Sequence, residues 1–183
     1  MQFAVYLEQG AHWQGGQWVT NRLNFATDVQ NWAVASLGPA KVDTLLGEGA
    51  SWRMWQAVRS RSGVIAVDGR VEGVGFTEAH DQISIEWTAG AILALRKMAG
   101  YYATTHPDWA AAAAADADSL RSGIEAYRLH FTDGTDAYAY SSRRGWIPFG
   151  WFSHNSDVAS LASTAWVACI DQGIDPFSLR AQE

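Results

Sequence analysis

The sequence predicts a mainly α fold, in which antiparallel helical hairpins form a layered array or part of an (α/α) toroid, with short β-hairpins between them. Helical apolar spacing dominates the chain, and several helical stretches are apolar on more than one face, as in helices that pack on both sides. The chain of 183 residues has the length of one domain, and it shows neither a linker nor an internal repeat. We therefore treat residues 1–183 as a single domain.

Six helices are predicted in chain order. A T-x-x-Q capping box at Thr27 and Gln30 starts the first helix, and Gly38-Pro39 ends it. Ser156 is predicted to cap the last helix, which ends at Gly173. The four helices between them cover residues 40–46, 51–62, 83–102 and 107–127.

Two β-hairpins are predicted where Asp-Gly separates short alternating segments. The first covers residues 64–74 around Asp68-Gly69, and the second covers residues 129–140 around Asp133-Gly134. Asp-Gly favours a two-residue turn in which both central residues have a positive φ angle. We therefore expect two tight hairpins between helices.

The N-terminus begins in a strand-like pattern, because Phe3, Val5 and Leu7 alternate with polar or small residues. We therefore expect the chain to begin inside a larger parent protein. It has no signal-peptide pattern. The location expected is periplasmic or extracellular if the parent is a secreted bacterial protein, and cytoplasmic otherwise.

The composition excludes several classes of protein. A formal net charge of -6 argues against a general nucleic-acid binder and against a protein that binds anionic membranes, because both need a basic surface. No apolar stretch approaches the length that spans a bilayer. The single cysteine, Cys169, excludes an internal disulfide and a metal site built on thiolates. Metal and cofactor motifs are absent from the sequence, so neither kind of group is expected.

Tryptophan and acidic residues together provide the functional signal. The chain has 10 tryptophans, and three acidic segments lie within a few residues of one: 28–32, 47–55 and 77–87. A sugar ring packs its C–H face on an aromatic plane, while its hydroxyls bond acidic, amide and basic side chains. Cleavage of a glycosidic bond usually needs two carboxyl groups, and desolvation by nearby indoles raises a carboxyl pKa. The pattern therefore predicts a site that acts on sugars.

Glu86 and Asp28 are the leading catalytic pair, with Glu78 and Asp81 behind them. The sequence around Glu86 is apolar, so a carboxylate there needs a partner or a water-filled cleft. The predicted substrate-binding residues are tryptophans, charged residues and one histidine. They come from the three acidic segments and from the loop after residue 142: Trp32, Glu48, Arg53, Trp55, His80, Trp87, Arg143, Trp146 and Trp151.

A purely structural role remains an alternative for these residues. Asp28 in a first helical turn can simply complement the helix dipole, and Glu48 between two glycines can mark a tight turn. Glu78 and Asp81 can be solvated loop charges, and Arg143 can pair with surface acids.

Five segments resemble the C-terminal half of bacterial proteins related to the six-hairpin (α/α-toroid) glycoside hydrolases: ATDVQNWAVASLGP, GEGASWRMWQ, GFTEAHDQISIEWTAGAILALRKMAGYYA, SSRRGWIPFGW and SLASTAWVACIDQGIDPF. The resemblance implies helical hairpins around a central cleft, with acidic and aromatic residues at the helix-start end facing a sugar chain. A complete toroid needs about twice as many helices as the six predicted here. We therefore expect a partial toroid, the C-terminal portion of a larger parent, or a chain that completes its ring with a partner.

The predicted function is that of a glycoside hydrolase, or of its C-terminal portion, acting on an oligo- or polysaccharide. A non-catalytic carbohydrate-binding module is the first alternative, and it would keep Trp13, Trp146 and Trp151 exposed without paired carboxylates. A structural helical subunit is the second alternative. It would form a homo- or hetero-oligomer through an exposed apolar helix face.

Overall fold

The structure is a computed structural model and describes residues 5–178. Within this range, six α-helices are interspersed with nine short strands. The helices are α1 (Thr27–Leu37), α2 (Pro39–Leu46), α3 (Ala50–Ser62), α4 (Ile85–Tyr102), α5 (Pro107–Glu125) and α6 (Leu161–Asp171). The strands are β1 (Gly10–Gln14), β2 (Gln17–Asn21), β3 (Gly63–Ile65), β4 (Val71–Val74), β5 (Arg128–His130), β6 (Asp136–Ala139), β7 (Trp146–Ile147), β8 (Trp151–Phe152) and β9 (Ala159–Ser160).

The prediction of a mainly α toroid is wrong, because the structure has mixed α and β character. Helices account for 46% of the described residues, and the strands among them form four small antiparallel sheets. Besides the two hairpins expected after α3 and α5, the segment before α1 pairs as a hairpin, β7 pairs with β8, and β9 joins a sheet. In one sheet, β9 adds to the hairpin of β5 and β6, which fixes the start of α6 on that sheet.

The first predicted helix is present, but its capping box is wrong. Ala26 is the N-cap residue, and Thr27 is the first residue of α1. The Gln30 side chain binds the backbone of Leu7 instead, because Oε1 accepts from the Leu7 N–H at 2.7 Å and Nε2 donates to the Leu7 carbonyl at 2.8 Å. A contact across 23 residues has therefore replaced the local cap.

The N-terminal strand prediction is not confirmed. Phe3 lies outside the described residues, and neither Val5 nor Leu7 belongs to a strand of the described chain. At the other end, the last helix begins at Leu161 and is capped by Ser160 rather than by Ser156. The residues between Ser156 and α6 turn and then pair as β9, so the helix starts later than expected.

Both predicted Asp-Gly hairpins are present, as β3–β4 and β5–β6. Only their glycines, Gly69 and Gly134, have positive φ angles, at 85° and 83°. Each aspartate instead accepts a hydrogen bond from the backbone N–H two residues further on. The turns are therefore Asx turns, and the expectation of two positive φ angles in each turn is wrong.

Helix α4 is the centre of the fold. It packs against α5, α1 and α6, and most of its residues are buried. Small buried residues of α5, among them Ala113 and Ala117, let the two long helices approach closely. The hydroxyl of Ser84 caps α4 by accepting from the Trp87 N–H at 3.3 Å. The position of α4 therefore decides where the side chains of its first turn lie.

The starts of α1 and α4 lie at the same end of the fold, because both bind the chain around the end of β4. The Thr27 N–H donates to the Phe76 carbonyl at 3.3 Å, and the Ser84 N–H donates to the Val74 carbonyl at 2.9 Å. A β-bridge between Ser84 and Ser141 brings the segment after β6 to the same place. Three separate parts of the sequence therefore meet around two helix starts.

Candidate functional site

Two carboxylates lie close together where α1 and α4 begin. Asp28 is the second residue of α1, and Glu86 is the second residue of α4. One helical turn further along, the Trp32 indole packs so closely on Gly90 that a Cβ on the glycine would lie 2.4 Å from Nε1. Residues four apart share a helix face, so this contact brings Asp28 towards Glu86. Both carboxylate side chains are half-buried.

Both carboxyl groups are weaker acids than usual. Burial raises the pKa of Asp28, and hydrogen bonds from the backbone N–H groups of Val29 and of Asp28 itself oppose that rise. Burial also raises the pKa of Glu86, and the negative charge of Asp28 raises it further. Among residues 5–178, no lysine, arginine or histidine forms an ion pair with either carboxylate. One of the two groups therefore keeps its proton more readily than an isolated acid would.

Five aromatic rings form a wall beside the carboxylates: Phe76, Trp87, Tyr140, Phe149 and Trp151. The Phe76 ring is central, with its centroid 4.8 Å from that of Trp87 and 5.7 Å from that of Tyr140. The Phe149 ring lies 6.3 Å from Trp87 and 5.8 Å from Trp151. The five rings come from three parts of the chain: α4, the β4–α4 loop and the region from β6 to β8.

Tyr140 links the wall to the carboxylates. Its hydroxyl oxygen accepts a hydrogen bond from Trp151 Nε1 at 3.0 Å, which leaves the hydroxyl proton free to be donated. Burial raises the pKa of Tyr140, the hydrogen bond from Trp151 opposes this, and the negative charge of Glu86 adds to the rise. The phenol is therefore a neutral donor within electrostatic reach of Glu86.

A groove of about 250 Å³ runs along this wall, and we call it the aromatic groove. Its lining residues are Gln9, Ala26, Asp28, Val29, Trp87, Phe149 and Trp151. The volume is slightly below that of ordinary small-molecule sites, which span about 300–1,000 Å³. Asp28 lines the groove directly, while Glu86 is its close neighbour. The groove therefore offers aromatic faces, an amide and the Asp28 carboxyl to a ligand, and Glu86 lies behind Asp28 rather than among the lining residues.

The structure places the other two predicted catalytic residues in exposed ion pairs. Glu78 pairs with Arg61, and Asp81 pairs with Arg143. Arg143 Nε also donates to the Asp81 backbone carbonyl at 2.8 Å. None of these side chains lines the aromatic groove. The structure therefore brings Asp28 and Glu86 together but does not bring Glu78 or Asp81 to them.

The predicted tryptophans divide between groove, surface and interior. Trp87 and Trp151 line the groove, whereas Trp146 is 57% exposed and packs edge-on against Phe152. Trp55 is only 2% exposed, and its Nε1 donates to Asp116 at 2.8 Å. Trp32 stacks on Trp166 with ring centroids 5.7 Å apart. Burial makes Trp55 part of the core, so its ring has no free face for a ligand.

Glu48, Arg53 and His80 lie elsewhere. Arg53 Nη1 donates to the Glu48 backbone carbonyl at 2.7 Å, near the start of α3. Glu48 lines a second pocket of about 280 Å³, together with Asp43, Thr44, Tyr101, Tyr102, Thr105 and His106. Because Tyr102 is the last residue of α4, this pocket and the aromatic groove lie at opposite ends of that helix. His80 Nδ1 lies 2.9 Å from the Gly63 carbonyl oxygen.

Several residues of the site were not predicted from the sequence, among them Gln9, Phe76, Tyr140 and Phe149. Tyr140 follows β6 directly, and it reaches the site because the next residue, Ser141, bridges to Ser84. Phe149 lies between Trp146 and Trp151, both predicted to bind substrate, so its position in an aromatic loop was a usable signal. Gln9 has no local sequence signal, because only the path of the chain brings it to the groove.

Comparisons with known proteins do not assign this site. No family model, no curated protein and no solved structure matches the chain. Within the described range, no three His, Cys, Asp or Glu side chains are grouped as a metal site requires. None of the described helices has an apolar stretch that could cross a bilayer. The aromatic groove and its acid pair are therefore the features of this chain that indicate a function.

Proposed function

We propose that the protein binds a saccharide in the aromatic groove and hydrolyses a glycosidic bond with Asp28 and Glu86. One observation supports this most strongly: two half-buried carboxyl groups with raised pKa values lie together beside an aromatic wall. Hydrolysis of a glycoside uses a protonated acid to release the leaving oxygen and an ionised carboxylate on the other side of the bond. Two carboxyl groups that interact can provide one protonated acid and one ionised carboxylate at the same time.

Glu86 is the proposed general acid. Burial and the charge of Asp28 both disfavour its ionised form, so it keeps a proton at a higher pH than an ordinary glutamate. A proton is then available for the oxygen of the departing sugar. Tyr140, whose hydroxyl proton is free, can assist by donating to a sugar hydroxyl.

Asp28 is the proposed base or nucleophile. Hydrogen bonds from the N–H groups of Val29 and of Asp28 stabilise its ionised form. The helix dipole favours a negative charge on both acids alike, because Glu86 holds the same position in α4 as Asp28 does in α1, so the backbone hydrogen bonds are what distinguish Asp28. The two carboxyl groups thus have different environments, which favours different protonation states.

The aromatic wall supplies the binding surface. Trp87, Phe149 and Trp151 line the groove with flat apolar faces, which suit the C–H face of a sugar ring. The Gln9 side chain at the rim offers an amide to sugar hydroxyls. A saccharide therefore fits both the apolar and the polar parts of the groove.

A purely structural role for the two acids fits less well. Asp171 is an ion-paired structural acid for comparison: a hydrogen bond from Arg121 lowers its pKa against the opposing effect of burial. Asp28 and Glu86 show the reverse shift, since burial raises both pKa values. Such shifts are unfavourable for the ionised forms and are typical of functional sites.

The test is a panel of soluble α- and β-glucans incubated with the purified protein. Release of new reducing ends would support the proposed hydrolase. Intact saccharide together with a change in tryptophan fluorescence would instead select the second candidate, a binding module without catalysis, which the exposed rings of Trp146 and Trp151 favour. If neither cleavage nor binding occurs with any glucan, a saccharide function is wrong.

A further inference from the structure

An exposed pair of tryptophans stands on a hairpin next to the groove. Strands β1 and β2 pair in a register that sets Trp13 directly opposite Trp18. The two-residue turn Gly15-Gly16 joins the strands, and both glycines have positive φ angles, at 58° and 82°. The indoles meet edge to face with centroids 5.6 Å apart. Trp13 is 62% exposed and Trp18 is 69% exposed.

Stabilising the hairpin does not explain both exposed rings. Cross-strand aromatic pairs do stabilise hairpins, and the edge-to-face contact does that here. Most of each indole nevertheless remains in water, and neither ring belongs to the hydrophobic core. Tryptophan side chains with a free face are typical of binding surfaces.

The base of this hairpin is fixed at the aromatic groove. Gln9, which lines the groove, directly precedes β1, and its Oε1 accepts from Asn21 Nδ2 at 2.8 Å. Asn24, just after the hairpin, donates to the Pro148 carbonyl next to Phe149 at 3.5 Å. From Gln9 to Trp13 the chain is extended over four residue steps, which is about 14 Å at ~3.4 Å per residue.

The polar side chains of the hairpin indicate the kind of ligand. Residues 10–21 contain no lysine, arginine, aspartate or glutamate. Apart from the His12 imidazole, the hydrogen-bonding side chains are neutral amides and a hydroxyl, such as Gln14, Gln17 and Thr20. An anionic lipid surface would need basic residues, and the whole chain carries a net charge of -6. Neutral polar groups around an indole pair fit an uncharged saccharide.

We propose that the β1–β2 hairpin is an arm that binds a second part of the same saccharide chain, away from the aromatic groove. The inference rests on the proposed function and extends it, because it makes the substrate a polymer or a long oligosaccharide. A short saccharide occupies only the groove. A longer one also reaches the Trp13–Trp18 pair and binds more tightly.

The experiment measures affinity against chain length by calorimetry, with cello- and malto-oligosaccharides from disaccharide to octasaccharide. The wild type is compared with the double variants W13A/W18A and W13Y/W18Y. We expect wild-type affinity to rise with length. We expect W13A/W18A to lose about tenfold in affinity for the octasaccharide and to bind the disaccharide as the wild type does. W13Y/W18Y keeps two aromatic faces and should retain most of the length dependence.

Other outcomes separate the arm from the proposed function. If short and long saccharides bind equally and W13A/W18A binds both as the wild type does, the hairpin does not bind saccharide. The proposed function of the aromatic groove is then unaffected. An equal loss for every length would show that the hairpin only supports the groove, which also overturns the arm. A change in sedimentation of W13A/W18A without a change in affinity would make the pair a contact between copies and overturn the arm. If the wild type binds no saccharide, both proposals fail.

Discussion

The indole of Trp32 lies directly on Gly90, where α1 crosses α4. A Cβ on Gly90 would be 2.4 Å from Trp32 Nε1 and 2.7 Å from Trp32 Cδ1. Only glycine allows this approach, and the approach holds Asp28 and Glu86 close together one helical turn earlier. The geometry of the acid pair therefore depends on a residue that touches neither acid.

Gly90→Ala should separate the two helices and lower stability. We expect the free energy of unfolding to fall by about 1–3 kcal/mol, because the added methyl group overpacks the contact. Urea denaturation measures this change. Gly100→Ala is the matched control on the same helix, because a Cβ there would meet open space. It should raise the free energy of unfolding by about 0.4–1 kcal/mol, because alanine lowers the conformational entropy of the unfolded chain. Equal stability of the two variants would contradict the tight contact.

Glu86→Gln should make the protein more stable at neutral pH. Burial and Asp28 raise the folded-state pKa of Glu86, so the folded protein loses stability as pH rises from the ordinary pKa through the raised value. Glutamine removes that loss. The gain in unfolding free energy should be present at pH 7 and should fade below the ordinary Glu86 pKa of 4.5.

The opposite pH response is expected at a structural acid. A hydrogen bond from Arg121 lowers the pKa of Asp171, although burial opposes it. Its contribution to stability is therefore present above its ordinary pKa and is lost as pH falls through the lowered value. Asp171→Asn should reduce stability at pH 7. Destabilisation of both variants at neutral pH would argue that Glu86 is a structural acid as well.

Trp151→Ala should weaken saccharide binding more than it weakens folding. Trp151 is 37% exposed, lines the groove and donates its only polar hydrogen to Tyr140. We expect affinity for the best-bound glucan to fall about tenfold, which corresponds to about 1.4 kcal/mol. Calorimetry measures this loss, and Phe131→Ala, at an exposed aromatic residue outside the groove, is the control. Unchanged affinity would remove Trp151 from the binding surface.

The helices could be predicted because their signals are local. Pro107 starts α5 at the first helical position, and Gly38 and Gly47 end α1 and α2 with positive φ angles. The Gln30 contact could not be predicted, because its partner Leu7 lies 23 residues away. The toroid prediction was wrong for a related reason: beyond the two Asp-Gly hairpins that were predicted, the β1–β2 hairpin, the β7–β8 hairpin and strand β9 add strand pairing that was not predicted.

The acid pair was partly visible in the sequence, whereas its surroundings were not. Glu86 lies in an apolar helix beside Trp87, which signals a carboxylate that needs an unusual environment. Asp28 and Glu86 lie close together because the starts of their helices bind the same backbone segment at the end of β4. These helices begin 58 residues apart in the sequence, at Thr27 and Ile85. Tyr140 joins them because its carbonyl accepts from the Ile85 N–H at 3.4 Å and the next residue bridges to Ser84. Such long-range contacts have no signature in a single sequence.

The most direct test compares the rate of reducing-end release by the wild type with the rates of three variants on the glucan that the panel selects. Glu86→Gln and Asp28→Asn should each lose about a hundredfold or more in kcat, as expected when a general acid or base is removed. Glu72→Gln, an exposed acid on β4 outside the groove, should keep the wild-type rate. Cleavage by Glu86→Gln at the wild-type rate would contradict the proposed acid pair.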